Sequence, residues 1–397
     1  MPGPTGKGVR MRAHAILAAL AARHVVHCLV IPLWDPRGAH DVPAETERLA
    51  AVTIAPPGPT YALHRRLLSQ PWYRLLAARA SSRSGSPRPL ESIGIPATIG
   101  SARLRERRFP YVHVFRLCTA PFAQPFLDDG VRLSIDLDDL DGDKQRRIAR
   151  LPETGASLAR ALDAEAALSD LVLERWRSRA DVLLVASEQD RATLSRSSGG
   201  ARARVVLAPN VVHPPGSAPI LPSAPPYRIL FAGGLDYAPN RDAVTWLVRD
   251  IVPALARLAT PPWELHVVGA GGPALLTRLG VHDPRVVAHD AVPDMVPHLT
   301  AARAVVVPLR AGGGTRIKIL EALAYARPVV ATTLGVEGLD LQHDRDLLIA
   351  DDTAAIADQL AAVLRDDALA LRVGTTGRVR VLASHTPDAL GRALAAL

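Results

Sequence analysis

The stretch Val305-Val-Val-Pro-Leu-Arg-Ala-Gly-Gly-Gly-Thr-Arg-Ile-Lys-Ile-Leu-Glu-Ala-Leu-Ala-Tyr-Ala-Arg-Pro-Val-Val-Ala-Thr-Thr constrains the fold more than any other part of this chain. The apolar run Ala304–Pro308 is short and unbroken, the pattern of a strand buried on both faces. Gly312, Gly313 and Gly314 follow as a turn, a helical pattern covers Thr315–Ala326, and Pro328–Thr332 reads as a second strand. Strand, turn, helix and strand in that order make a parallel βαβ unit. The alternation extends to both sides, with strands expected at Arg228–Ala232, Glu264–Val268, Arg285–Ala288 and Leu347–Ala350. Helices are expected over Asp242–Leu258, Ala274–Leu279, Pro293–Ala301 and Thr353–Leu364. This half is therefore predicted to be α/β and doubly wound.

The first half shows the same habit less cleanly. Val25–Ile31, Ala51–Ala55, Tyr111–Phe115, Arg132–Asp136, Asp181–Ala186 and Arg204–Ala208 are strand candidates, and Arg12–Arg23 and Ser157–Arg179 are helix candidates. A chain of 397 residues exceeds one ordinary domain. The proline-rich segment between Val212 and Tyr227 favours an extended connection. The expected division is 1–216, a linker at 217–227, and 228–397, whose last helix has the option of crossing back. Two Rossmann-like domains joined in this way face a cleft at the carboxyl ends of their strands, where open α/β sheets bind ligands.

Composition removes several function classes. No apolar run approaches the roughly 20 residues of a membrane-spanning helix, and the N-terminus lacks a secretory pattern, so cytoplasm is the expected address. Cys28 and Cys118 are too few for a disulfide framework or a cysteine zinc site, and read as reduced buried thiols. The net charge of +8 comes from residues 1–216, which hold 30 Lys and Arg against 21 Asp and Glu. Residues 60–108 alone carry ten arginines against Glu91 and Glu106. Such a stretch suits a solvated basic face or an anionic membrane surface; with no binding motif beside it, nucleic acid is disfavoured as a partner. His64–Ala80, rich in Arg65, Arg66, Leu67, Leu68, Trp72 and Tyr73, suits interfacial helices interrupted at Pro71 or helices packed in the core.

The chemistry concentrates at the glycine turn. The glycines let backbone approach a ligand, and the helix that follows offers unpaired N–H groups and a partial positive charge to a phosphate. Arg316 and Lys318 in its first turn oppose the macrodipole, a penalty that a bound diphosphate reverses. Lysine is otherwise confined to Lys7 and Lys144, which makes Lys318 conspicuous. Glu321 suits the paired hydroxyls of a ribose or sugar, or else a surface pairing with Arg316 or Lys318 worth only about 0.3–0.5 kcal/mol.

These residues resemble the donor-binding region of GT-B glycosyltransferases of family 4, in particular bacterial sugar transferases of exopolysaccharide systems. Ile229-Leu-Phe-Ala-Gly-Gly-Leu-Asp-Tyr-Ala-Pro-Asn, Leu265-His-Val-Val-Gly-Ala-Gly, Gly312–Glu321, Ala326-Arg-Pro-Val-Val-Ala-Thr and Leu334-Gly-Val-Glu-Gly-Leu fall in the family's order. The resemblance covers most of residues 227–365 and is weaker at Pro4-Thr-Gly-Lys-Gly-Val-Arg, Ile135-Asp-Leu-Asp-Asp-Leu-Asp, Ala186-Ser-Glu-Gln-Asp and Pro209-Asn-Val-Val. It departs from the family at three points. Gly313 replaces the first of two paired glutamates, Gly234 replaces a diphosphate-binding arginine, and Asp138 stands where a histidine is common. It also implies a strand ahead of Pro4.

The resemblance implies retaining, metal-independent transfer of a sugar from a nucleotide diphosphate sugar to a hydroxyl of a lipid-linked or saccharide acceptor, with no cofactor. Its implied donor residues are Gly233, Gly234, Asn240, Gly269, Gly312, Gly313, Gly314, Thr315, Arg316, Lys318 and Glu321, with the base against the turn Ala291–Asp294. Arg316 and Lys318 would supply the missing cation, and Asp138 or Asp139 would orient the acceptor. Two alternatives keep the fold: a nucleotide-sugar epimerase, and a binding or scaffold protein without catalysis. The Gly3–Gly8 loop lacks Walker A spacing, and His282, His289 and His298 read as structural. The acidic run from Asp136 to Asp143 lacks the glycine and glutamate spacing of a calcium loop.

Overall fold

A computed structural model describes residues 2, 8–31, 42–55, 66–84, 108–196, 203–217, 220–395 and 397. They form two compact units, Met1–Pro209 with Pro387–Leu397, and Asn210–Thr386.

Unit 1 runs α1 (Gly8–Ala21), β1 (Val26–Val30), α2 (Ala44–Leu49), β2 (Ala50–Ile54), α3 (Pro71–Ser84), β3 (Tyr111–Phe115), a 3-10 segment (Leu117–Phe126), β4 (Arg132–Asp136), α4 (Asp141–Ala149), α5 (Ala156–Arg177), β5 (Val182–Val185), α6 (Glu188–Arg196) and β6 (Arg204–Leu207). β1 and β2 pair in parallel, and β3-β4-β5-β6 form a parallel sheet in chain order. Leu133, Ile135, Leu183 and Val185 of that sheet pack with Leu168, Val172 and Trp176 of α5. The two readings of the arginine-rich helix each fit one of its faces. Tyr73, Ala77, Ala78 and Ser81 of α3 are buried and Arg74 grips Glu165, whereas Trp72 and Leu76 are 58% and 60% exposed. The rest of that basic stretch, residues 60–65 and 85–107, and the Gly3–Lys7 loop lie outside the described residues. Cys118 is buried and Cys28 only half-buried.

Unit 2 runs β7 (Tyr227–Ala232), α7 (Ala238–Trp246), a π segment (Leu247–Ile251), α8 (Val252–Ala256), β8 (Trp263–Val268), α9 (Gly272–Leu279), β9 (Val286–His289), α10 (Val296–Ala301), β10 (Ala302–Val307), α11 (Ile317–Ala324), β11 (Val329–Ala331), α12 (Thr333–Val336), β12 (Leu348–Ile349), α13 (Thr353–Arg365) and α14 (Asp367–Ser384). Its strands form one parallel sheet in the order β12-β11-β10-β7-β8-β9. From β7 the winding goes one way to β8 and β9, then reverses to β10, so β7 and β10 flank the switch point where such sheets hold ligands. The π segment separates α7 from α8 just before Pro253, whose missing N–H and ring break the α-helical ladder. The last helix, α15 (Pro387–Leu394), belongs to unit 1.

The division falls at Pro209, earlier than the sequence suggested, and the proline-rich segment is part of unit 2. Prolines leave carbonyls without an intrasegment partner, and arginines of unit 2 take them. Arg378 donates to the Pro215 carbonyl at 3.0 Å, Arg327 to Ile220 at 3.2 Å and Arg303 to Pro222 at 3.0 Å. Among the described residues no helix is long and apolar enough to cross a membrane.

Candidate functional site

The carboxyl ends of β7 and β10 bring together the residues singled out in unit 2. β7 runs out into Gly233 and Gly234, and Asn240 on α7 donates from Nδ2 to the Gly234 carbonyl at 2.8 Å. Its Oδ1 accepts from Lys318 Nζ, also at 2.8 Å, and that ammonium lies 4.6 Å from the centre of the Phe231 ring. A Cβ at position 233 would stand 2.7 Å from both Lys318 Nζ and Asn240 Nδ2, so only glycine admits this arrangement. Gly269, at the end of β8, backs onto Gly233, where a Cβ would meet the Gly233 carbonyl oxygen at 2.1 Å.

After β10 the chain passes through Gly312, Gly313 and Gly314 into α11. The helix starts two residues later than the sequence pattern suggested, with Arg316 as N-cap and Lys318 in its first turn. Arg316 is buried and turns back to donate to the carbonyls of Gly313 and Gly314, which closes the turn on itself. Thr315 is also buried and its hydroxyl meets Asn210 Nδ2. Asn210 is in turn fixed by a 2.9 Å contact between its carbonyl and His385 Nδ1. Arg310 makes a two-point pair with buried Asp242 at 2.9 and 2.7 Å and lies over Trp246, which ties the approach to the glycine turn onto α7.

Electrostatically, Lys318 and Glu321 are a pair held near neutrality. Burial, aided by Arg316, brings Lys318 down to about 7 against the opposing pull of Glu321. Burial raises Glu321 to about 7, with Lys318 pulling the other way. The Glu321 carboxyl has no hydrogen bond or ion pair among the described residues. Amides, an ammonium and a carboxyl are thus presented over one strand switch point, a set suited to an anionic group with neighbouring hydroxyls. In the turn expected to face a base, Asp290 accepts from the Gly271 and Ala291 amides at 3.0 and 2.8 Å, and Asp294 from Val296 at 2.9 Å. His289 stacks on His266 and meets His298 edge-on, while His282 is exposed.

In unit 1 the acidic turn after β4 separates its carboxylates by function. Asp136 takes two hydrogen bonds from buried Arg12, at 2.9 and 2.6 Å, and Arg12 also donates to the Ala208 carbonyl at 2.9 Å. Lys144 holds Asp139 at 2.7 Å and Asp141 at 2.5 Å. Asp138 has no hydrogen bond among the described residues and lies between Arg12 at 3.7 Å and Arg116 at 4.0 Å. The structure thus separates two residues the sequence left equivalent: Asp139 is hydrogen-bonded to Lys144, whereas Asp138 lies between two guanidiniums without a direct hydrogen bond.

Sequence reasoning missed Arg12, Arg116, Asn210 and the Asp242–Arg310 pair. Arg12 had a signal, since it shares an i, i+4, i+8 stripe with Ile16 and Leu20, both buried. Asn210 stood in the quoted Pro-Asn turn without a role.

Residues 226–366 match the family model described as glycosyl transferases group 1. No curated protein matches the chain in sequence. Among solved structures the chain is similar to sucrose-phosphate synthase from Thermosynechococcus elongatus, with a TM-score of 0.69 at 19% identity over 98% of this chain and 92% of that one. It is similar to HepE from Anabaena, solved with UDP and glucose, with a TM-score of 0.62 at 14% identity over 100% and 97%. WaaG, a glycosyltransferase involved in lipopolysaccharide biosynthesis, gives 0.60 at 17% identity over 99% and 96%. The chain has the GT-B fold of these enzymes, and the residues that match the glycosyl transferases group 1 model lie in unit 2.

Proposed function

We propose that this chain is a retaining glycosyltransferase of family 4 that moves a sugar from a nucleotide diphosphate sugar to a hydroxyl of a saccharide or lipid-linked acceptor, without a metal or other cofactor. The observation that carries this reading is the convergence of Gly233, Asn240, Lys318 and Glu321 beside the Gly312–Gly314 turn, inside the region matched by the family model. Departure of a nucleotide diphosphate places negative charge on the leaving oxygens. The Gly313–Thr315 amides and Lys318 are fixed donors for that charge, and Arg316 holds the turn that aims them. Glu321 accepts from the ribose hydroxyls. The leaving oxygen gains the electrons of the broken sugar–phosphate bond and takes the proton of the acceptor hydroxyl, whose oxygen, oriented by Asp138, forms the new bond. A place in exopolysaccharide synthesis at the inner membrane face fits the arginine excess of residues 60–108 and the exposed Trp72 and Leu76.

The test is the thermal midpoint of the chain with UDP, GDP, ADP, CMP or dTDP, each with and without magnesium. At ligand near 100 times its Kd the expected stabilisation is about 2.7 kcal/mol. One nucleotide is expected to stabilise the chain independently of magnesium, and Lys318→Ala and Glu321→Ala to abolish the effect. A folded chain that responds to none of them is not a transferase of this kind.

A further inference from the structure

Arg116 and Asp138 leave neighbouring strands of unit 1 with left-handed backbone, φ 71° and 60°. Phe115 and Asp136 are register partners, so Arg116 emerges from β3 beside the turn that carries Asp138. Residues other than glycine resist this conformation, and it persists where the surroundings hold it, often at ligand sites. Here the Arg116 amide donates to the Asp136 carbonyl at 2.8 Å, and its Nη2 donates to Asp141 at 3.1 Å. Its Nε–H is different: the atom is buried, has no hydrogen-bond partner, and lies 4.0 Å from Asp138 Oδ2. The other oxygen of Asp138 is 3.7 Å from Arg12 Nε, which is already committed to Asp136.

Both separations are too long for a direct hydrogen bond. A donor and an acceptor about 4 Å apart are spanned by one intervening oxygen that accepts from the first and donates to the second. A hydroxyl does both. We propose that Arg116 and Asp138 read one hydroxyl of the acceptor saccharide, Arg116 Nε–H donating to its oxygen and the Asp138 carboxylate accepting a hydrogen bond from its O–H. The inference rests on the reading of unit 1 as the acceptor side and names the residues of that recognition. Asp139 is excluded from the role by its 2.7 Å contact with Lys144. Burial and the Asp139 charge push Asp138 up to about 7 against the pull of Arg116 and Arg12, so the acceptor form of the carboxylate grows in as pH rises through neutrality.

The experiment is saturation-transfer NMR of the full chain with the methyl glycosides of glucose, galactose, mannose, N-acetylglucosamine, rhamnose and glucuronic acid. The variants are Arg116→Lys, which keeps the charge facing Asp141 and removes Nε, and Asp138→Asn, since asparagine, like aspartate, tolerates the left-handed backbone. Each is compared after its circular dichroism has matched that of the wild type. At least one glycoside is expected to bind, more tightly at pH 8 than at pH 6, and about tenfold more weakly in either variant, with no pH dependence left in Asp138→Asn. Binding in both variants equal to wild type overturns the pairing and leaves the gap to a water. Nucleotide stabilisation without any glycoside binding also overturns it while sparing the transferase reading, whereas absence of nucleotide stabilisation sinks that reading instead.

Discussion

Lys318 Nζ donates to Asn240 Oδ1 at 2.8 Å, across a space that exists because residue 233 has no side chain. The contact joins the first turn of α11 to the third residue of α7 and, with the Arg310–Asp242 pair, ties the two sides of the strand switch point together. Ring and ammonium reinforce it, since Phe231 lies below the same nitrogen.

Gly233→Ala is the sharpest test of that geometry. The added methyl would come within 2.7 Å of both Lys318 Nζ and Asn240 Nδ2, and both must move. Overpacking of this kind typically costs about 1–3 kcal/mol, and the displaced ammonium no longer faces the glycine turn. A lowered urea midpoint together with loss of nucleotide stabilisation is expected. Unchanged nucleotide stabilisation would show that Lys318 does not need Asn240 to reach its ligand.

The Lys318–Glu321 pair predicts an unusual pH profile for the unliganded chain. Glu321 is raised to about 7 in the folded state, so folding is favoured by proton binding below its ordinary range, and this contribution is lost as pH rises through about 7. Lys318 is lowered to about 7, so its contribution is present above the ordinary lysine range and is lost as pH falls through about 7. The two therefore give a stability minimum near neutrality. Urea midpoints at pH 5, 7 and 9 are expected to dip at 7 in the wild type and to flatten in Lys318→Met/Glu321→Gln. A wild-type profile without the dip would place both groups in water.

The α/β character, the parallel strands of unit 2 and the glycine turn were legible because each rests on local pattern: short apolar runs, a glycine triplet, a proline before a strand. Element ends were less so. Arg316 reads as helix but caps it, because its side chain satisfies the turn that precedes it. The domain boundary was misplaced for a similar reason, since the proline-rich run looks like a free connection until Arg303, Arg327 and Arg378, 81 to 163 residues away, are brought onto its carbonyls by the fold. Asp138 and Asp139 are equivalent in sequence, and only Lys144 and two arginines from distant elements tell them apart.

Asp242 and Arg310 predict a separable defect. Asp242 is 1% exposed and fully used by Arg310, which itself remains partly in solvent over Trp246. Asp242→Asn leaves a buried amide facing a guanidinium and frees the residue two before Gly312. A loss of about 1–3 kcal/mol in stability is expected, with weaker nucleotide stabilisation than the wild type at the same concentration. Equal nucleotide stabilisation would mean that the glycine turn keeps its shape without this anchor.

Arg12 carries the heaviest structural load in unit 1. Arg12 is 2% exposed, and its guanidinium bridges Asp136, itself fully buried, to the carbonyl of Ala208, thereby linking α1 to the ends of β4 and β6. Removing the cation strands a buried carboxylate, which typically costs about 3–5 kcal/mol, whereas replacing both partners by apolar groups removes the charge that would be stranded. Arg12→Met is therefore expected to lower the first transition in chemical denaturation by that amount, and Arg12→Met/Asp136→Leu to recover most of it. The pair has a second consequence. Arg12 pulls Asp138 toward its charged form while Asp136 pushes it the other way, so Arg12→Met alone is expected to titrate Asp138 at higher pH than the wild type in carboxyl-detected NMR, and the double variant to move it back toward the wild type. Recovered stability in the double variant with an Asp138 unmoved in Arg12→Met would assign Arg12 to the scaffold alone.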